Sequence, residues 1–491
     1  MTAAADQADA ADATPAASGA FGLWLRRIAV GAFVAVLAWA PFPLGGAVSW
    51  GAALQEIMIA VCWLLWLAAD WTDPSSLLPK RRSLYIALVL VLAVLLWAFI
   101  QTLPGVPATW AHPIWQVASD GLGHAVPATI SMNVWRTDAE LLKLASAIAA
   151  CWLACAMAQR SETAATLFGA VIVIGALYAL YGFILLLANM TQAQLIYHIP
   201  IASPFLTGPF MLHNSFATYA GLATLAAVAR LFHAGSETII SKRGLRQLVL
   251  SLIQFTFGRG APHVIATIVL FAAVIASASR GGFAGTCAGF AAMAVLMFLL
   301  ALRSPGRIWP VVGIAVAVAP IVTILVISGG QLGDRVDQLV STGNADEIRL
   351  ALWAATERMI ADAPWRGLGL GTFQDAYPLY ATQIFPYVMD KAHCDYLEFA
   401  AGIGLPAAIT WWFAVAIAAF QVAQGALIRR RNRLYAVVAT GATVLIAVHS
   451  AMDFSLQIPA VALSYATLMG IGLAQSARSA KPEAASPADR L

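Results

Sequence analysis

Apolar residues fall along this chain in long runs nearly free of charge, separated by short stretches where Lys, Arg, Asp, Pro and Gly collect. The runs are about 16 to 25 residues long, and a helix needs about 20 to cross ~30 Å of hydrocarbon, so they read as membrane spans. The pattern predicts twelve, at residues 28–44, 50–69, 84–103, 139–158, 163–187, 215–232, 263–278, 282–302, 309–328, 396–422, 435–448 and 459–473. The fold class expected is all-α: a polytopic integral membrane protein with about twelve transmembrane helices. Residues 1–20, rich in Ala and Asp and without apolar periodicity, are expected to be a disordered tail, and residues 476–491 a second, cytoplasmic tail. Arg26 and Arg27 precede a run too long for a cleaved signal, so that run is read as the first span.

Composition agrees with the pattern. Of 491 residues 61% are hydrophobic and only 11% charged, with a mean hydropathy of +0.79, whereas a soluble domain carries roughly 25% charged residues. The five cysteines (Cys62, Cys151, Cys155, Cys287, Cys394) are scattered, mostly inside apolar runs, and form no disulfide or metal-binding pattern. The net charge of +4 is spread over short loops and gives no nucleic-acid footprint.

The basic residues set an orientation. With the amino terminus inside, only Arg136, Lys143, Arg280, Arg335, Arg349, Arg358, Arg366 and Lys391 fall on outer segments or outer span ends, leaving 20 of 28 (28 − 8) inside. That bias fits twelve spans and two cytoplasmic termini, since one missed span would invert every later loop. Two outer segments are long, 104–138 and 329–395. The second divides the membrane domain into nine spans (21–328) and three (396–475), and should lie over the active site. It contains a helix signal at 347–361, capped by Asn344 or Asp346 and stopped by Pro364. On that helix Arg349, Trp353, Thr356 and Ile360 share the face expected to dock on the membrane domain, while Arg358 should point to solvent. The loop WRGLGLGTF (365–373) that follows is either a tight turn or a backbone cradle for phosphate.

Several polar residues sit where burial makes them expensive. Arg280, in SASRGGFAG, stands between two closely spaced spans, and an interfacial arginine wants protein, water or an anion. His393, in KAHCDYLEFAAGIGLP, is followed by Asp395 and Glu398, and a histidine near a carboxylate can take a proton around neutrality. Glu398 lies inside an expected span and calls for a cation, with Arg280 or Arg349 as candidates. His213 and Asn214 open the sixth span, and His449 and Asp453, spaced i, i+4 near the end of the eleventh, are candidates to bond each other. Arginines gathered at one face fit an anionic, lipid-linked substrate, because guanidinium holds phosphate oxygens bidentately.

Taken together, SASRGG, the arginine in DEIRLALW, the GLGLGTF loop and the histidine in AHCDYLEFAAGIGLP, over residues 208–406, resemble the O-antigen ligase and polymerase family of membrane glycosyltransferases. The resemblance implies transfer of a glycan from undecaprenyl diphosphate to a glycan or lipid acceptor at the periplasmic face of the bacterial inner membrane. Arg280 and Arg349 would hold the diphosphate and His393 would serve the acceptor hydroxyl. Asp395, Glu398, His213, Asn214, His449 and Asp453 would support them. No metal, nucleotide or other cofactor is implied; the partners are the lipid-linked donor, the acceptor, membrane lipids and other polysaccharide assembly and export proteins. Cys394 departs from the family pattern, where Asn follows the histidine. HSAMDFSLQIP resembles a segment of relatives tied to exopolysaccharide assembly, which favours a polymerase. Two other classes suit the same helices: a secondary transporter of an anionic solute, and a non-catalytic subunit of a polysaccharide export complex.

Overall fold

The computed structural model describes residues 14–72, 82–239, 245–302, 345–383, 385–386, 388–429 and 432–476, and every regular element among them is helical. In order these are α1 (Thr14–Trp39), α2 (Ser49–Thr72), α3 (Arg82–Ile100), α4 (Ile114–Leu122), α5 (Val134–Met157) and α6 (Ser161–Leu187). They continue with α7 (Gln192–Tyr197), α8 (His213–Ile239), α9 (Leu245–Phe257), α10 (Ala261–Ala276), α11 (Arg280–Leu302) and α12 (Ala345–Asp362). The chain ends in α13 (Phe373–Tyr380), α14 (Asp395–Ile403), α15 (Leu405–Ile428), α16 (Arg433–Ser450) and α17 (Pro459–Ala474).

Among the described residues eight helices are long and apolar enough to cross a membrane, namely α1, α2, α5, α6, α8, α11, α15 and α16. The number becomes nine if α9 and α10, bent by 79° at residues 258–260, form one span. The apolar stretches of α3 and α17 are shorter, and the expected span at 309–328 lies outside the described residues. The chain is thus a multi-pass membrane protein, with eight or nine such helices among the described residues. Of the residues expected to form the amino-terminal tail, 14–20 belong to α1, which begins at Thr14, and 1–13 lie outside the described residues.

The span expected at 396–422 is two helices. Gly404 separates them with φ +81° and ψ 157°, a conformation that glycine adopts without strain. Any Cβ there would lie 2.6 Å from the Trp365 carbonyl oxygen. Pro406 then starts α15 at a position where its missing N–H costs nothing.

The helices pack around α8 and α17, whose side chains are buried almost all round. Small residues bring α11 onto α16: a Cβ on Gly289 would meet the Gly441 carbonyl oxygen at 2.8 Å, and one on Gly285 the Leu445 oxygen at 2.9 Å. Glycine rows of this kind are how membrane helices gain van der Waals contact where lipid offers no hydrophobic drive.

At one end of the bundle, loops and α12–α13 form a second layer with its own core. Leu352, Ala355 and Met359 of α12 pack with Phe373 and Tyr377 of α13 and with Met389, Ala392 and Ala401. The GLGLGTF loop fastens this layer to the membrane helices. Gly367, Gly369 and Gly371 all have positive φ, and the Leu368 and Gly369 N–H groups donate to the Ala401 and Gly402 carbonyls. Leu370 N–H donates to Gln101, the Gly367 N–H to the Ala363 carbonyl just after α12, and the Thr372 N–H to the Gly369 carbonyl within the loop. Those five N–H groups are spent on protein, which fits the tight-turn alternative better than the phosphate cradle.

Candidate functional site

The polar candidates meet at the end of the bundle that carries the α12–α13 layer. His393 sits just before α14 with φ +53°, and Ala278, in the turn just before Arg280, has φ +53° too. Non-glycine residues held in the left-handed region cost energy that the surrounding structure must repay, and such strain collects at functional sites.

The His393 ring is half-buried, edge-on to Phe454 at 4.9 Å, and its Nδ1 lies 3.1 Å from Asp453 Oδ1. Asp453 is 3% exposed and also accepts the Phe454 N–H at 2.9 Å. Burial pushes its carboxyl upward, but the hydrogen bond and charge of His393 and the nearness of His449 outweigh this and hold it below the ordinary carboxylate value. A carboxylate at Nδ1 favours the Nδ1–H tautomer and leaves Nε2 as the proton acceptor.

The Asp453 N–H donates to the His449 carbonyl at 2.9 Å, but the two side chains do not hydrogen-bond each other. Helix α16 ends at Ser450, so the carboxylate leaves the helical face on which i, i+4 spacing would have placed it. The imidazole of His449 is 1% exposed, and both its nitrogens, like Asp453 Oδ2, have no hydrogen-bond partner among the described residues.

Arg280 is exposed as the first residue of α11, where Ser279 Oγ accepts the Gly282 N–H at 3.1 Å. Its neighbour Gly281 faces His449: a Cβ there would lie 3.4 Å from Nε2 of that ring. Arg349 is half-buried on α12, and its charge reaches both His213 and His449. His213 is fixed by the Ser277 carbonyl at 2.8 Å from Nδ1 and lies against Phe205. Asn214, half-buried, accepts Thr218 Oγ1 on its backbone carbonyl. The fold therefore brings His393, Asp453, His449 and the Arg280 turn together, with Arg349 and His213 at the same end of the bundle.

Among the described residues Asp395 and Glu398 hydrogen-bond to groups other than His393. Asp395 accepts Ser450 Oγ at 2.7 Å and Gln457 Nε2 at 2.9 Å, and burial raises its carboxyl to about 7 despite those bonds. Glu398 accepts Lys391 Nζ at 3.3 Å and the Ala392 N–H at 2.8 Å. Burial lowers Lys391, but Glu398 and Glu140 more than offset it, and the lysine stays firmly charged. Sequence reasoning missed Lys391 as this partner, although a carboxylate deep in an apolar run signalled that some cation had to come near.

Arg358 also differs from expectation. It is half-buried, and its Nη2 donates to the Tyr380 carbonyl at 2.7 Å, tying α12 to the end of α13.

Cys394 occupies the N-cap position of α14 and makes no side-chain cap hydrogen bond. The family's Asn at this place would supply a good cap acceptor, so the departure touches the helix that follows His393.

Residues 265–412 match a model of the family described as O-antigen ligase. The match bears out the resemblance over a stretch that holds Arg280, Arg349, His393, Asp395 and Glu398, whereas His213, Asn214, His449 and Asp453 lie beyond it. No curated protein matches the chain.

Proposed function

We propose that this O-antigen ligase-type membrane protein moves a glycan from undecaprenyl diphosphate to an acceptor hydroxyl at the periplasmic face of the bacterial inner membrane, as an O-antigen or exopolysaccharide polymerase or an O-antigen ligase. The observation that carries the reading is the His393–Asp453 pair, set beside arginines at one end of an apolar bundle within reach of the family match.

The acceptor oxygen attacks the anomeric carbon as the bond from that carbon to the diphosphate oxygen breaks. His393 Nε2 takes the acceptor proton, and the Asp453 carboxylate stabilises the imidazolium that forms. Arg280 and Arg349 offset the charge that develops on the leaving diphosphate, an effect strengthened where water is scarce. Asp395, Glu398 and Lys391 hold the start of α14 against Ser450 and Gln457, and His213 and His449 wall the site. The basic-residue bias supports placing this end outside.

The test is transfer by the purified protein in liposomes supplied with undecaprenyl-diphosphate-linked glycan and acceptor. Arg280→Ala should lose at least about tenfold in rate, and Arg280→Lys should not restore it, because lysine lacks the two-pronged geometry a diphosphate favours. Full activity of the Lys variant would reduce Arg280 to a point charge. Uptake of labelled anion without any transfer would instead make the protein a transporter.

A further inference from the structure

Behind the arginine–histidine cluster, on the far side of α14, lies a cavity of about 540 Å³. It lies among α3, α5, α17, α16 and α15, which neighbour one another in a ring, and is partly open to the outside. None of Arg280, Arg349, His213, His393, His449 or Asp453 lines it. Lining positions run from Glu140 to Trp152 on α5 and from Pro459 to Leu473 on α17. At ~1.5 Å per residue this is roughly 20 Å of depth, more than one leaflet of a ~30 Å hydrocarbon core.

The walls are apolar, and the Thr443 and Tyr465 hydroxyls deep in the cavity bond each other at 3.1 Å. Charge gathers only at the end nearest the α12–α13 layer, with Glu56, Glu140, Lys143, Asp395 and Glu398. Lys143 is paired with Glu140 at 2.7 Å, and Glu398 with Lys391, which does not itself line the cavity, at 3.3 Å. A diphosphate at this mouth would have to break those pairs while facing further carboxyls. Uncharged hydroxyls would meet a row of acceptors instead.

We infer that this cavity holds the hydrocarbon chain of a lipid whose head is uncharged and hydroxyl-rich, and that it is a second lipid site, separate from the one that holds the diphosphate. The inference rests on the glycan-transfer reading in one respect: it makes this lipid the acceptor, presented to His393 across the start of α14. Asp395, which bonds Ser450 and Gln457, separates the two compartments.

The experiment uses photoreactive probes on the full-length protein in liposomes. One is an alkyl maltoside with a diazirine in its chain, the other a diazirine-bearing farnesyl diphosphate. The maltoside should label α3, α5, α15 and α17 at cavity-lining positions, in wild type and Arg280→Ala alike. Ala418→Phe with Ala466→Phe, which fill the cavity, should cut that labelling roughly tenfold and leave farnesyl diphosphate labelling unchanged. In wild-type protein, excess unlabelled maltoside should remove the cavity label and excess farnesyl diphosphate should not, a comparison that needs no variant to fold. Labelling spread evenly over lipid-facing positions would overturn the proposal, as would competition by the diphosphate. The readout is binding, so loss of the transfer reading through active His393 or arginine variants would leave it standing, and its own failure would leave transfer intact.

Discussion

At the scale of single residues, the site depends on a pairing that local spacing does not reveal. His393 was legible from the sequence, but its partner Asp453 lies 60 residues on, and the nearby acids Asp395 and Glu398 bond elsewhere. Only the tertiary docking of α14 against the end of α16 brings ring and carboxylate together. Asp453→Asn should therefore slow transfer by a factor on the order of 100, the usual worth of a positioned acid–base group; donor binding, measured alongside, should be unchanged. Cys394→Asn should raise stability by about 1 kcal/mol, the worth of an N-cap, as read from thermal unfolding in detergent. For Asp395 the sign follows from its raised value: between about 4 and 7 the folded state holds a proton that the unfolded state releases, so stability falls as pH rises through that window. Asp395→Asn, which mimics the protonated form, should gain thermal stability over wild type at pH 8 and little or none at pH 4. An equal offset at both pH values would show that the carboxyl ionises freely in the fold.

At the scale of elements, apolar periodicity located the helices well and their interruptions poorly. The run from 396 to 422 shows no change in hydropathy at Gly404; what breaks it is a backbone conformation imposed by the close approach of the Trp365 carbonyl. The helix at 345–362 was legible to within two residues, and Arg349 does lie on a partly buried face. Yet α12 is buried more widely than one stripe, because α13, a short helix the apolar pattern did not announce, covers a further side and engages Arg358. Arg358→Ala should thus cost about 1 to 2 kcal/mol of stability through the lost charged hydrogen bond. Arg349→Ala should cost on the order of 2 kcal/mol or more of transition-state stabilisation, at least about tenfold in rate. Melting and transfer measured on both variants separate the two roles. A larger catalytic loss at Arg358 would mean that α12 presents a different face to the site.

At the scale of the whole molecule, the chain is a helical bundle with polar chemistry concentrated at one end, and which membrane face that end meets is a matter for labelling. With the native cysteines replaced, a cysteine at Gly121 should react with an impermeant thiol reagent from outside and one at Arg259 only after permeabilisation. The central claim is that one end of the bundle divides its labour, arginines for the lipid diphosphate and His393 for the acceptor. The most direct measurement is single-turnover transfer over a range of lipid-linked donor concentrations, for wild type, Arg280→Ala, Arg349→Ala and His393→Ala at matched amounts of folded protein. The account predicts that the arginine variants weaken donor binding and slow transfer together, whereas His393→Ala binds donor like wild type and barely turns over. Wild-type turnover by His393→Ala, or donor binding indifferent to both arginines, would contradict it.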